Sequence, residues 1–324
     1  MNEVLLPFIL TLDATLRLAT PLILCAMAGL LSERSGIIDI SLEGKLLSGA
    51  FAAAAVSTVT GNVYMGLGMA IVVSVAMALI HGFACITHRG NQIISGLAVN
   101  ILASGLTVTI GFAAFRQGGQ TPPLSADERF GPIILPFADA LRDVPLIGLL
   151  YSELLSGHKL IVYIALISVP LVAWLLFKTR FGLRLRAVGE VPEAVDSAGI
   201  SVTWLRYRAI ILAGILCGIA GAYLSTAHGA GFVREMSAGK GYIALAAMIF
   251  GKWRPWSAMG ACLLFGFLEA ASSRMQGVEL PLIGQTPVDL ILILPYILTV
   301  VLLAGFFGRA VPPKAIGEPY VKEH

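Results

Sequence analysis

The 324-residue chain is 57% hydrophobic and only 13% charged, with a formal net charge of +3 and a mean hydropathy of +0.86. Since a soluble domain carries about 25% charged residues, this composition excludes a soluble globular protein and predicts helices that cross a lipid bilayer. The small positive charge is explained by loop bias in a membrane protein, and it indicates no nucleic-acid partner.

Long uncharged runs predict where the helices lie. Leu46–Ile80 and Gly90–Phe115 hold no charged residue over 35 and 26 residues, and about 20 apolar residues span a hydrocarbon core. We predict an all-α, polytopic membrane protein with about 8 to 10 transmembrane helices of that length, some of them broken or re-entrant, folded as a single transmembrane domain over residues 1–324. The candidate spans are 8–31, 38–60, 64–86, 92–115, 159–178, 207–227, 236–251, 255–273 and 287–307.

Two of these spans differ from ordinary crossings. The second contains Asp39, Glu43 and Lys45 in its first part, and the seventh is short and closely flanked by charge. Non-helical backbone is tolerated at membrane depth only where protein or a cavity covers it. Both spans are therefore candidates for broken or re-entrant helices.

The sixth span carries small residues at close spacing. Gly214 and Gly218 are four residues apart, and Gly221 follows. Such spacing lets helix backbones approach closely. We therefore predict a tight helix–helix contact here.

Basic residues indicate the orientation. Lys178–Arg208 holds six of the 22 Lys and Arg residues, which predicts that the segment 179–206 is cytoplasmic. By alternation the tail 309–324 falls on the same side, and the acidic, proline-rich connection 116–158 falls outside. Nine crossings would then place the N-terminus outside.

Polar residues interrupt the apolar spans at two places and are candidates for a translocation path. In the first, Asp39, Ser41 and Glu43 alternate with apolar residues. The second opens the fourth span with Asn91, Gln92, Ser95 and Asn100. Polar groups at membrane depth usually face a bundle interior or an aqueous cavity. The alternatives are a charged loop for the first cluster and interhelical hydrogen bonding for the second.

The segment 179–206 contains signals for a short helix between two spans. Pro192 is suited to its first position with Glu193 in the first turn, and Gly199 is suited to its end. A capped helix is more than a linker needs, so we predict a docking surface for a soluble cytoplasmic partner. A plain amphipathic loop at the lipid headgroups is the alternative.

The sequence lacks the common phosphate-binding and catalytic motifs. There is no phosphate-binding G-x-x-x-x-G-K-[ST] loop, no H-E-x-x-H and no G-x-S-x-G. The four cysteines lie in apolar stretches without ligand spacing and are expected to be buried thiols. We therefore predict no catalytic residue, no metal site and no cofactor, and hence no enzyme.

Four stretches together resemble a known family: Ser32–Leu46, Asn91–Asn100, Arg184–Ile200 and Met236–Pro255. The chain resembles permease subunits of bacterial ABC importers, in the group that includes ribose-type and branched-chain amino-acid permeases. More narrowly, it resembles permeases of nucleoside or simple-sugar importers served by basic membrane lipoprotein-type binding proteins. The resemblance implies a multi-pass protein of the bacterial plasma membrane that carries a nucleoside or sugar.

The resemblance also implies roles and partners. Arg184–Ile200 would couple to the ATPase through Arg186, Gly189, Glu190, Pro192, Glu193, Asp196 and Gly199. Ser32–Lys45 and Asn91–Asn100 would contribute to the central helices around the path. The implied partners are a tandem-domain ABC ATPase that holds ATP and Mg²⁺, a second and non-identical permease, an extracytoplasmic binding lipoprotein and membrane lipid.

A stand-alone secondary transporter or channel is the competing hypothesis. It would use paired carboxylates near the midplane. Asp39 and Asp289 are the nearest candidates for such an ion-coupling pair. A membrane enzyme is the third class, but the sequence lacks the nucleophile or metal constellation that it would need.

Overall fold

The computed structural model describes residues 2–136, 150–275, 279–280, 284–285, 293, 297 and 311–322. The helices of these residues are α1 (Asn2–Glu33), α2 (Leu42–Thr60), α3 (Val63–Gly82), α4 (Gln92–Phe115), α5 (Leu160–Lys178), α6 (Arg180–Glu190), α7 (Pro192–Ser197), α8 (Val202–Ala222), α9 (Lys240–Phe250) and α10 (Pro255–Met275). π-Helical turns extend α3 over Phe83–Thr87 and α8 over Tyr223–His228, and another occupies Leu150–Leu155. Two strands of two residues each, β1 (Glu279–Leu280) and β2 (Gly284–Gln285), pair antiparallel.

Five of the helices are long and apolar enough to cross a membrane. They are Pro7–Glu33, Val63–Thr87, Gln92–Phe115, Leu160–Lys178 and Val202–His228. The predicted all-α, multi-pass architecture is thus confirmed. Of the ninth predicted span, 287–307, only residues 293 and 297 are described, and Asp289 lies outside the described residues.

The centre of the bundle is formed by α1, α2 and α8. In the most apolar stretches of α1 and α8, 78% and 72% of residues are buried, against 22% in α4. In α2, every residue from Leu42 to Ala54 is buried. A helix that is buried all round has no polar face to present to water, so α2 serves as the axis on which the other helices pack.

Glycines let α8 approach α2 and α3 closely. A Cβ atom added at Gly218 would lie 2.6 Å from the Ile71 Cα on α3. One at Gly221 would lie 2.5 Å from the Leu46 carbonyl oxygen on α2. The tight contact predicted from the glycine spacing is confirmed.

Four predicted span starts differ from the observed helix starts by four to six residues, and the first of them is the start of α1 at Asn2 rather than at residue 8. The second span begins as a helix at Leu42 rather than at residue 38, and the sixth begins at Val202 rather than at 207. Arg206, in the first turns of α8, is 1% exposed, and its Nε donates to the Ser35 carbonyl at 3.2 Å. The seventh begins at Lys240, four residues late, and α6 was not predicted as a helix.

The helix bundle has two ends. We call the end that contains Gly36, Gly189 and Ala315 the basic end, and the end that contains Phe130 and Thr226 the far end. At the basic end, the Ala315 N–H donates to the Gly189 carbonyl at 2.9 Å, and the Gly317 N–H donates to the Gly36 carbonyl at 3.0 Å. At the far end, Phe130 N–H donates to the carbonyl of Thr226 at 3.1 Å. Residues 311–322 therefore lie beside α6, opposite the end where α1 begins.

Candidate functional site

The non-helical segment Arg34–Ser41 joins α1 to α2, and we call it the junction. Ser32 Oγ donates to the Ile37 carbonyl at 3.0 Å. From α4, Gln92 Oε1 accepts from the Ile38 N–H at 2.6 Å, and Asn100 Nδ2 donates to the Ile40 carbonyl at 3.0 Å. Because buried backbone groups need partners, these side chains allow an irregular segment to lie inside the bundle.

Asp39 and Lys45 form an ion pair whose side chains are both 0% exposed. Lys45 Nζ lies 2.7 and 2.6 Å from the two carboxylate oxygens of Asp39. Ser41 Oγ donates to the same carboxylate at 2.6 Å. Two of the three charges that interrupt the second predicted span, Asp39 and Lys45, thus compensate each other at the start of α2.

His81 of α3 bridges the junction and α4. Its Nε2 lies 3.1 Å from the Ile38 carbonyl and its Nδ1 lies 3.0 Å from Ser95 Oγ. Since a carbonyl only accepts, Nε2 carries the proton in the neutral ring and Nδ1 accepts from the serine. Sequence reasoning missed this residue because a single histidine in an apolar span carries no spacing signal.

Glu43 fixes the start of α9. Its two carboxylate oxygens accept from the Gly239 N–H at 2.8 Å and the Gly241 N–H at 2.6 Å. Negative charge at a helix N-terminus is favourable because the first N–H groups lack helical partners. A Cβ at Gly241 would lie 2.5 Å from the Glu43 nitrogen, so only glycine permits this approach.

A second contact joins α1 to the loop between α9 and α10. Trp253 Nε1 donates to Glu33 Oε2 at 2.6 Å. Arg34 donates to the Trp253 carbonyl at 2.7 Å. The acidic end of α1 and the loop after the half-length helix α9 are therefore held together at the basic end.

The predicted polar residues of α4 lie in different environments. Asn91 is exposed and caps α4 by accepting from the Ile93 N–H at 2.9 Å. Gln92 is buried, and Ser95 and Asn100 are half-buried. Asn100 also accepts from the Gly44 N–H and donates to the Tyr242 hydroxyl, both at 2.8 Å. Helix α4 is thereby tied to the junction, α2 and α9.

The segment 179–206 folds as α6 and α7. Pro192 occupies the first turn of α7, and the Gly199 N–H closes its end on the Asp196 carbonyl at 2.8 Å with φ +74°. The short helix predicted from these residues is present. Arg186 stacks on the Phe177 ring with its guanidinium carbon 4.9 Å from the centroid.

The remaining predicted coupling residues divide into buried and exposed ones. Gly189 and Pro192 are buried, and a Cβ at Gly189 would lie 2.3 Å from the Arg34 carbonyl oxygen. Glu190 and Glu193 are exposed. Gly189 therefore packs on the junction, and the segment presents the carboxylates of Glu190 and Glu193 outward.

Two open cavities flank α7 at the basic end. One of about 390 Å³ has an apolar lining that includes Leu183, Val191 and Ala194. The other, of about 410 Å³, is lined by Glu193, Ala194 and Tyr320 among others. Ala194 borders both, so a partner that fills them would meet this residue.

The described residues bear on the predictions made for metal ligands and for the four cysteines. No cluster of three or more His, Cys, Asp or Glu suited to a metal ion occurs among them. Cys25, Cys85, Cys217 and Cys262 are buried free thiols, as predicted. Asp39 is paired with Lys45, and Asp289, with which it was predicted to form an ion-coupling pair, lies outside the described residues.

Comparison with known proteins shows extensive similarity to permeases. The guanosine ABC transporter permease protein NupQ of Bacillus subtilis is 39% identical over 317 residues, 95% of each chain. The nucleoside ABC transporter permease protein NupC of Lactococcus lactis is 36% identical over 94% of each chain. The putative glucose ABC transporter permease protein TsgC13 of Haloferax volcanii is 36% identical over 85% of this chain and 80% of that protein.

A more distant relative shows that such permeases come in pairs. The guanosine ABC transporter permease protein NupP, also of Bacillus subtilis, is 26% identical over 93% of this chain and 83% of that protein. The family model described as branched-chain amino acid transport system / permease component matches residues 11–310. The chain is therefore a multi-pass membrane protein that belongs to this family of transport-system permeases.

Proposed function

We propose that this chain is one of two permease subunits of an ABC importer for a nucleoside. The observation that carries the proposal is the similarity, over nearly the whole chain, to relatives whose names specify guanosine and nucleoside transport. A simple sugar is the second candidate substrate, favoured by the glucose permease of Haloferax volcanii. The chain itself carries no phosphate-binding loop, so ATP and Mg²⁺ belong to a separate ATPase.

The rest of the assembly follows from this proposal. NupP and NupQ of one organism support a second, non-identical permease. A tandem-domain ATPase drives transport from the cytoplasm, and an extracytoplasmic lipoprotein delivers the substrate. The basic end faces the cytoplasm of a bacterial cell because it carries the arginine-rich segment 179–206. The N-terminus and residues 116–158 then face outward.

The coupling segment has a direct route of contacts to the junction. Gly189 contacts the Arg34 carbonyl region, and its own carbonyl accepts from Ala315 N–H at 2.9 Å. Gly317 N–H in turn donates to the Gly36 carbonyl. Movement of α6 and α7 by the ATPase would therefore reach the junction through packed backbone rather than through a flexible linker.

We place the translocation path beside the junction and the start of α4. Half-buried Ser95 and Asn100 and exposed Asn91 border it, whereas buried Asp39, Ser41 and Gln92 hold its wall in place. Glu43 shapes the wall by fixing α9. Weak solute contacts suffice here because recognition belongs to the binding protein.

Charge reversal at Glu190 tests the coupling proposal. Glu190 is exposed at the end of α6, and like charges across an interface cost several kcal/mol, so Glu190→Arg should lower co-purified ATPase at least tenfold. ATP-driven nucleoside uptake into vesicles should fall with it. The measurement is the ratio of ATPase to permease after affinity purification, together with uptake.

The control for this test is Asp127→Arg, the same kind of reversal at an exposed acid of the far end. It should leave ATPase association unchanged. If Glu190→Arg retains normal association and uptake, and replacing residues 190–197 by a Gly/Ser linker does so too, the coupling assignment is wrong.

A further inference from the structure

Two adjoining cavities lie at the basic end, around the start of α10. The first, of about 460 Å³, is lined by α9 and α10 and includes Lys252, Arg254 and Leu264. The second, also about 460 Å³, is lined by α5 and α10 and includes Trp174, Lys178 and Arg254. Arg254 and Ser257 line both, so the two form one continuous cleft around the start of α10.

Three cations border this cleft without a compensating acid. Lys178, Lys252 and Arg254 are all exposed, and in the described part of the chain no acidic side chain forms an ion pair with any of them. Arg34 is held nearby on the Trp253 carbonyl, where it lies near the acid Glu190 as well as near Arg254. The cleft therefore attracts an anion.

In the loop between α9 and α10, the side chain of Trp253 is buried, whereas Lys252 and Arg254 on either side of it are exposed. Lys252 and Trp253 both have left-handed φ values, 53° and 52°, which non-glycine residues adopt rarely and which cluster at functional sites. The Trp253 side chain is 5% exposed and bonds Glu33. Lys252 and Arg254 on either side point outward, so the strained loop presents both charges to the cleft.

The part of the cleft that lies farther along α10, beyond the three cations, is apolar. Gly260, Ala261 and Leu264 line it. Leu264 is nine residues beyond Pro255, which is about 14 Å along the helix at 1.5 Å per residue. A Cβ atom at Gly260 would meet nothing within 4 Å, so this part has room for a hydrocarbon chain.

Two tryptophans mark the level of the membrane interface. Trp174 lies one turn before the end of α5, and Trp256 lies in the first turn of α10. Each is 57% exposed. Tryptophan is enriched where the hydrocarbon region meets the headgroups, so the cations lie at headgroup level and Leu264 lies at acyl-chain level.

We propose that this cleft binds an anionic phospholipid, with its phosphate on Lys178, Lys252 and Arg254 and an acyl chain along Gly260–Leu264. Basic pockets between membrane helices are suited to acidic headgroups. A soluble phosphate would use the cations but not the apolar part. The joined polar and apolar lining therefore favours a lipid.

Lipid retention by the purified full-length permease tests the proposal. Native mass spectrometry in detergent would compare phosphatidylglycerol, phosphatidylcholine and soluble glycerol phosphate as ligands. Phosphatidylglycerol should bind at least tenfold more tightly than either of the others. Because each basic residue contributes about a fivefold gain near an anionic headgroup, the double variant Lys252→Gln/Arg254→Gln should lose on the order of 25-fold for phosphatidylglycerol.

Two further variants separate the charges from the acyl groove. Gly260→Phe should lower phosphatidylglycerol binding about tenfold by filling the groove with an aromatic side chain, and Gly105→Phe, also with open space around its Cβ, should not. Arg89→Gln/Arg208→Gln removes two exposed cations of the basic end that line neither cavity and should leave binding unchanged.

Three results would overturn the proposal. One is equal affinity for glycerol phosphate and phosphatidylglycerol, which would indicate a free-anion site. Another is equal loss in the double variant and in its Arg89/Arg208 control, which would indicate general surface charge. The third is unchanged lipid binding with reduced co-purification of another subunit, which would make the cleft a subunit contact.

Discussion

At the scale of single residues, the charges in the apolar chain are placed by pairing rather than by exposure to water. Asp39 and Lys45 are fully buried against each other. The carboxylate of Glu43 accepts hydrogen bonds from two backbone N–H groups. Removing one member of a buried pair leaves an uncompensated charge, whereas removing both does not. The Asp39–Lys45 pair should therefore behave as a unit.

Single and double substitutions test this pairing. Lys45→Met should destabilise the permease by about 3–5 kcal/mol because Asp39 is left charged and buried. Asp39→Asn/Lys45→Met should recover most of that loss. The free energy of unfolding can be measured in mixed micelles of increasing SDS fraction.

The partly exposed pair Asp13–Arg17 on α1 provides the matched control. Arg17→Met should cost less than about 1 kcal/mol, as for an exposed ion pair. A double Asp39/Lys45 variant that is as unstable as Lys45→Met, or a Lys45→Met loss no larger than that of Arg17→Met, would contradict the pairing.

At the scale of helices, close approach of α3 and α8 depends on glycine. The Cβ atom of a residue at position 218 would lie 2.6 Å from Ile71 Cα and 2.8 Å from the Ala70 carbonyl oxygen. Backbone atoms cannot move aside as a flexible side chain can. The α3–α8 contact is thus set by the absence of a side chain rather than by an interaction.

Gly218→Ala should therefore destabilise the bundle although alanine is the better helix former. We expect a loss of about 1–3 kcal/mol from overpacking, seen as a lower midpoint of thermal unfolding in detergent. Gly68→Ala on α3, where a Cβ would meet nothing within 4 Å, should be neutral or stabilising by up to about 1 kcal/mol. Equal midpoints for the two variants would refute the close-packing account.

The sequence predicts helices better than it predicts what joins them. The fourth and fifth predicted spans agree with α4 and α5 within one residue, because uncharged length alone determines a membrane helix. The junction's partners were not predictable. Asn100 lies 60 residues from Ile40, and Gly241 lies 198 residues from Glu43, so no local pattern contains these contacts.

The candidate site was predictable in part for the same reason. Polar residues at membrane depth indicated the junction and α4, and the Pro192 and Gly199 signals indicated α7. His81 and Trp253 gave no signal, because each acts through an atom supplied by another part of the chain. Whether the predicted path residues contact solute stays a prediction.

At the scale of the whole molecule, the basic end brings three segments of the chain together. The segment α6–α7, residues 311–322 and the junction contact one another there through Gly189, Ala315, Gly317 and Gly36. Under the proposed function, these contacts would connect the docking surface for the ATPase to the translocation path. A secondary transporter would instead need an ion-coupling carboxylate, and Asp39 is already paired.

Uptake of radiolabelled guanosine into proteoliposomes tests the central claim most directly. The chain would be reconstituted alone, and also with its second permease, ATPase and binding lipoprotein. We predict ATP-dependent uptake only with the complete set, and none by the chain alone under a proton or sodium gradient. Gradient-driven uptake by the chain alone, or ATP-driven uptake by the set without this chain, would contradict the account.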